Sequence, residues 1–139
     1  MKILIVNGPN LNLLGKREPE IYGNLDLEEF ITNLKQKFPE VELFHFQSNV
    51  EGELINALQE QDSQVRIILN AGGYTHTSAA LRDCISAIEN RVVEVHISNI
   101  SARESFRHES LISPVCEGCI FGFGLKSYEL GIHWHLMTP

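Results

Sequence analysis

Residues 65–97 read VRIILNAGGYTHTSAALRDCISAIENRVVEVHI, a run that holds a strand, a turn, a helix and a second strand in order. Residues 65–70 are a short apolar run rich in β-branched side chains, which reads as a buried strand. Gly72 and Gly73 interrupt the run, and a helix is expected from about 77 to 90. Residues 92–97 form the next apolar run and the next expected strand. A strand followed by a helix and another strand implies parallel pairing, with the helix packed on the sheet.

The same alternation extends to both sides. Residues 2–6 predict a buried strand. Leu27, Phe30, Ile31, Leu34 and Phe38 recur at helical spacing, so residues 26–37 predict a helix. Asp26 and Glu29 are spaced as a capping box at its start, and Pro39 ends it. Residues 41–47 predict a strand and 51–62 a helix carrying Leu54, Ile55 and Leu58 inward. A short fifth strand is expected at 119–122 and a last helix at about 125–136. The expected fold is α/β: one domain spanning 1–139, a doubly wound five-stranded parallel sheet with helices on both faces. In such sheets ligands sit beyond the carboxyl ends of the strands, near the reversal of strand order. The informative residues therefore follow each strand.

Composition narrows the classes of function. The chain has 139 residues, 43% of them hydrophobic, enough for a real core and unlike a disordered protein. With 11 basic and 18 acidic residues the net charge is -7, a poor basis for general nucleic-acid or membrane-surface binding. An anionic ligand would have to be met by local arginines. The apolar run after Met1 and Lys2 is too short for a secretory leader, and no stretch approaches the ~20 apolar residues of a membrane span, so a cytoplasmic protein is expected. Cys84, Cys116 and Cys119 offer a single C-x-x-C without a second pair, and read as reduced structural cysteines.

The strand ends carry unusual residues. The first strand is followed by NGPNLNLLGKREPEIYG, residues 7–23, far longer than the ~2–6 residues of an ordinary βα loop. It contains Gly8, Gly15 and Gly23 with Asn12, Arg17 and Tyr22, and reads either as a punctuated surface loop or as an active-site lid at about 8–25. After the third strand, Asn70, the paired glycines and His76 lead into a helix start, whose free N–H groups suit an anion. The alternative is a plain helix cap with a solvent-facing histidine. On the fourth strand, alternation places Glu94 and His96 on one face and Val93, Val95 and Ile97 on the other. A buried carboxylate beside a histidine fixes its tautomer and raises its pKa, a sensible general acid, although a structural ion pair would look the same. Arg103 and Arg107, four apart in the next loop, are spaced to face one ligand or simply solvent. His133 and His135 lie on different sides of the last helix, where tail packing or exposure is expected in place of a metal site. His45 and His108 show no evident partner.

GPNLNLLGKREPEIYG, NAGGYTHTSAALRD, EVHISNISARESFR and the glycine-rich IFGFG followed by Tyr128 closely resemble, in order and spacing, the blocks of the type II 3-dehydroquinate dehydratases. These dehydroquinases work without a Schiff base. Departures are mild: Ser127 stands where a glycine is expected, and Ser105 lies in a stretch that often has other residues. The resemblance implies a flavodoxin-like fold and an enzyme of aromatic amino-acid biosynthesis. It would convert 3-dehydroquinate to 3-dehydroshikimate by anti elimination through an enolate, with neither metal nor organic cofactor. It further implies that Tyr22 is the base, held as a phenolate by Arg17, and that Asn12 stabilises the enolate oxygen. His96 would protonate the departing hydroxyl, oriented by Glu94. Asn70 with the Ile97–Ser98 turn would hold the substrate carboxylate, His76 and Arg107 the ring hydroxyls, with Arg103 in electrostatic support. Asp83 would reach a neighbouring site within a homododecamer built from trimers.

Two other classes compete. A non-catalytic flavodoxin-like binder of phosphate or nucleotide fits an open sheet with glycine loops, but G-x-G-x-x-G and P-loop patterns are missing. A serine hydrolase using Ser78 or Ser98 would want a G-x-S-x-G elbow, which is also missing.

Overall fold

The computed structural model describes residues 1–16 and 25–139. Five strands, β1 (Lys2–Asn7), β2 (Glu42–Gln47), β3 (Arg66–Asn70), β4 (Val92–His96) and β5 (Gly118–Phe121), form one parallel sheet. Their spatial order is β2-β1-β3-β4-β5, so strand order reverses between β1 and β3. This is the flavodoxin-like arrangement. The described helices are α1 (Leu27–Lys37), α2 (Glu51–Gln59), α3 (Ala79–Ala87) and α4 (Lys126–Met137). None of them is long and apolar enough to cross a membrane.

Period-two alternation in the strands explains why the sheet is covered on both sides. Ile3, Ile5, Ile68, Val93 and Val95 point into one core, closed by Phe30, Ile31 and Leu34 of α1 and Tyr128 and Ile132 of α4. Leu4, Val6, Ile67, Leu69 and Val92 point into the other, closed by Leu54 and Leu58 of α2 and Leu81, Cys84 and Ile85 of α3. Helix α1 starts as its sequence indicates: the Asp26 side chain accepts from the Glu29 backbone N–H at 2.8 Å.

Helix boundaries move by a few residues: α2 ends at Gln59 and α3 at Ala87, short of the expected 62 and 90, and the start of α3 also shifts. After β3 the chain first makes a tight 3-10 turn, Gly72–His76, and α3 begins only at Ala79. Ser78 caps α3 by accepting from Leu81 N at 2.9 Å, and its hydroxyl donates to Glu51 at 2.6 Å. The helix start proposed as an anion cradle is therefore already capped, and the 3-10 turn lies between it and the strand end.

Candidate active site

The reversal between β1 and β3 leaves a crevice, and backbone packing shapes it. Gly8 follows β1 and donates its N–H to the Asn70 carbonyl at 2.7 Å. A Cβ on Gly8 would lie 2.4 Å from the Ala71 carbonyl oxygen, so only glycine allows this approach. Gly72, at φ +60, presses in return against Pro9, whose carbonyl oxygen would meet a Cβ at 3.0 Å. The loops after β1 and β3 are thus fitted to each other. Beside them opens a cavity of about 180 Å³. It is small against the roughly 300–1,000 Å³ of sites for drug-sized ligands, and suits a compact molecule.

Three strand ends and one loop supply its walls. Pro9, Leu11, Leu13 and Leu14 come from beyond β1, Asn70 from the end of β3 with Gly73 and His76 beyond it, His96, Ile97 and Ser98 from the end of β4, and Arg103 and Arg107 from the loop that follows. Seven residues named from sequence therefore meet: Asn70, His76, His96, Ile97, Ser98, Arg103 and Arg107. Asn12 is exposed on the 3-10 turn Leu11–Leu13, whose two flanking leucines line the cavity. Asp83 is exposed on α3 and lines no part of it. Arg17, Tyr22 and Gly23 lie outside the described residues.

Alternation on β4 does what the sequence indicates, sending Glu94 and His96 to one face. The Glu94 carboxylate is fully buried and accepts from His96 Nε2 at 2.6 Å. Ser110 donates to it at 2.8 Å, and the hydroxyls of Thr75 and Ser113 complete the set. Burial alone would raise the pKa of this group. The hydrogen bond and charge of His96, with the hydroxyls of Ser113 and Thr75, outweigh it and hold Glu94 at about 2. Glu94 is then ionised at neutral pH. With Nε2–H committed to that anion, Nδ1 is the nitrogen His96 has left for a ligand. The arrangement can deliver a proton to a leaving group.

The other cavity side chains are also oriented. His76 donates from Nδ1 to the Glu109 carbonyl at 2.6 Å, which leaves Nε2 as an acceptor for a ligand hydroxyl. Arg107 pairs with Glu104 at 2.6 Å and stacks its guanidinium 4.6 Å from the Phe106 ring. Arg103 donates to Ser98 Oγ at 3.5 Å. Asn70 donates from Nδ2 to Tyr128 Oη at 2.8 Å and accepts the Gly72 N–H at 3.1 Å.

Among the described residues the candidate metal-ligating group is Glu94, His96 and Cys119, with donor atoms within 4.8 Å of one another. It does not fit a resident metal. The carboxylate already has four donors, and burial with the Glu94 charge pushes the Cys119 thiol up to about 12, far from the thiolate a metal needs. Cys84, Cys116 and Cys119 are all free thiols.

Sequence reasoning missed several residues. Thr75, Ser110 and Ser113 gave no motif, since serines and threonines before and within loops are ordinary. Histidines read as partnerless have partners: His45 Nε2 faces Asn7 Nδ2 at 3.0 Å, and His108 donates to the Arg103 carbonyl at 2.9 Å. His135 is fully buried, with Nε2 on the Ile67 carbonyl at 3.0 Å, while His133 packs edge-on against Phe38.

Fold and site together define a flavodoxin-like α/β protein that presents a buried carboxylate–histidine pair to a small polar cavity at the strand-order reversal. Residues 1–136 match the family model for Dehydroquinase class II. A 3-dehydroquinate dehydratase of an Exiguobacterium species is 58% identical over 134 residues, covering 96% of this chain and 92% of the relative. Its counterpart from Chlorobaculum tepidum is 53% identical over 133 residues, covering 94% and 90%. Among solved structures, the type II dehydroquinase of Butyrivibrio crossotus superposes with a TM-score of 0.92 at 44% identity, covering 96% of each chain. That of Propionibacterium acnes gives 0.93 at 36% identity, covering 98% of this chain and 96% of the other. The chain belongs to the class II dehydroquinase family.

Proposed function

We infer that this protein is a 3-dehydroquinate dehydratase, a carbon–oxygen lyase of the shikimate pathway whose substrate is the small molecule 3-dehydroquinate. The observation that carries this reading is the ionised Glu94 fixing His96 at the cavity wall, in a chain of this family. The reaction removes a proton from C2, next to the C3 ketone, and the hydroxyl from C1. Electrons from the C2–H bond first form an enolate and then the C1=C2 double bond, as hydroxide leaves with a proton to become water. In this reading Tyr22 takes the C2 proton, with Arg17 holding it as a phenolate. A tyrosine starts near pKa ~10 and a neighbouring cation lowers it by about 1–3 units, so more than one group must help. Asn12 steadies the enolate oxygen, in the manner of an oxyanion donor. His96 protonates the departing C1 hydroxyl, and Glu94 orients it. Asn70, Ile97 and Ser98 receive the carboxylate, His76 and Arg107 the ring hydroxyls, and Arg103 adds positive charge nearby. The exposed position of Asp83 on α3 suits contact with a neighbouring subunit. The same reading takes residues 1–139 as one catalytic domain that works in the cytoplasm as a homododecamer of trimers.

The test is direct. Purified protein mixed with 3-dehydroquinate should produce a conjugated enone, seen as rising ultraviolet absorbance, and sodium borohydride with substrate should leave activity intact. No absorbance rise overturns the reading. A borohydride-trapped lysine adduct replaces this elimination by a Schiff-base route. Tyr22→Phe should bind substrate and lose nearly all turnover, and normal turnover there removes Tyr22 as the base.

A further inference from the structure

Asn7 closes β1 and Asn70 closes β3, and the register sets them side by side. Both point to the face covered by α1 and α4, where Tyr128 inserts its hydroxyl between them. Tyr128 Oη donates to Asn7 Oδ1 at 2.6 Å and accepts from Asn70 Nδ2 at 2.8 Å. Asn7 Nδ2 in turn meets His45 Nε2 on β2 at 3.0 Å. All of Asn7, Tyr128 and Asn70 are at most 3% exposed. Nothing in the proposed reaction uses Asn7, Tyr128 or His45.

The direction of this chain is not arbitrary. A backbone N–H can only donate, so the Gly72 N–H, 3.1 Å away, requires Asn70 to turn Oδ1 toward it. Nδ2 of Asn70 must then face Tyr128, whose oxygen accepts and whose hydrogen goes to Asn7 Oδ1. Asn7 is left presenting Nδ2 to His45, which has to receive it on an unprotonated Nε2. The opposite polarity would set Asn70 Nδ2 against the Gly72 N–H, donor to donor. Burial supports the same assignment at Tyr128 and at His45. It pushes the Tyr128 phenol up, keeping its hydrogen, and, with the nearby Lys35 charge, holds the His45 imidazole down to about 4, keeping it neutral. Of the four hydrogen-bonding positions on the Asn70 amide two are taken; the second Nδ2 hydrogen and a second Oδ1 lone pair remain, and of these only the hydrogen suits an anion in the cavity that Asn70 lines.

We propose that Tyr128, with Asn7 and His45 behind it, is a positioning residue that locks Asn70 as a hydrogen-bond donor to the substrate carboxylate. This rests on the reading that Asn70 contacts that carboxylate. Without the chain only the 3.1 Å contact from the Gly72 N–H orients the amide, which then swings more readily and can turn its oxygen toward an anion, which repels it. The site would thus read the charge on C1 through a relay ending two strands away from Asn70.

Kinetics on the full-length enzyme test it, with quinate and its carboxamide as competitive inhibitors that differ only in the charged group. Tyr128→Phe keeps the ring and removes the oxygen. KM for 3-dehydroquinate and the inhibition constant of quinate should rise about tenfold, the scale of a weakened hydrogen bond to a charged group, while kcat changes less than about threefold. The carboxamide should bind within about threefold of its wild-type affinity. Equal losses for quinate and carboxamide, or no loss for either, overturn the proposal. Asn70→Ala separates the two layers. If it binds quinate as tightly as wild type, the Asn70 assignment and this inference both fail. If it loses quinate while Tyr128→Phe does not, only the inference fails. Should Tyr128→Phe not fold, His45→Leu removes the terminal acceptor and His45→Gln restores one. A raised KM in the first, returning to wild type in the second, supports the relay, and equal KM in both overturns it.

Discussion

On the face covered by α2 and α3, the carboxyl edge of the sheet buries one anion, Glu94, with four donors converging on it. On the face covered by α1 and α4, the same edge buries a neutral chain of hydrogen bonds that runs in one direction, from Asn70 through Tyr128 to Asn7 and His45. Both Glu94 and Asn7 are fully buried. The difference lies in what each can transmit. A converging cluster holds charge, and its effect on His96 is electrostatic. A chain of neutral groups holds direction, and its effect on Asn70 is to decide which atom faces the ligand. The cavity sits where the two meet, with His96 from one face and Asn70 from the other.

If that contrast is right, removing the anion should cost turnover most. Glu94→Gln is expected to lower kcat by roughly 10²–10⁴-fold, the range of general acid catalysis, with KM little changed. Retained kcat, measured by enone absorbance, would show that the buried charge is structural only. Breaking the neutral chain should instead show in stability. Asn7→Ala leaves Tyr128 Oη without its acceptor and should destabilise the fold by about 1–3 kcal/mol in urea unfolding, where an unchanged midpoint refutes a tightly matched chain. Acid should reach the two faces separately. The folded-state pKa of His45, about 4, lies below its ordinary 6.5, so between these values the unfolded chain binds more protons and stability falls as pH falls through that window. Glu94 behaves likewise between its ordinary 4.5 and about 2. The urea midpoint followed against pH should lose its upper step in His45→Gln, and persistence of that step would assign it to another group. The smallest effect is expected far from both clusters. The partly exposed Arg91–Glu117 pair, 2.5 Å apart, should give a coupling of only about 0.2–1 kcal/mol in a double-mutant cycle, and a larger value would mean that this end of the sheet is also specialised.

These two clusters were not equally legible in the sequence. Glu94 and His96 lie on one strand two residues apart, so period-two alternation alone puts them together, and a buried ionisable pair announces itself. The hydroxyls that complete the cluster come from Thr75, Ser110 and Ser113, 16 to 19 residues away along the chain, through loop paths that no periodicity encodes. The neutral chain was harder still. Asn7 looked like the first residue of a loop, yet it ends β1, and His45 showed no partner because its partner lies across a parallel crossover, 38 residues distant. Strand and helix identities were readable because apolar spacing reports burial. The start of α3 was misplaced by two residues because Gly72 at positive φ opens a 3-10 turn that propensity does not reveal. His76, read as equally compatible with a cap or a site, reaches the cavity by way of that turn.

The Gly8–Ala71 approach has a bearing on how such a protein tolerates redesign. Because two loops meet there through main-chain atoms, side-chain swaps around the crevice leave the joint intact, whereas a residue inserted beside Gly8 or Gly72 shifts one loop against a neighbour that has no slack. Graft points for new specificity therefore belong in the segment of Ile100, Arg103 and Arg107, which borders the cavity without entering that joint.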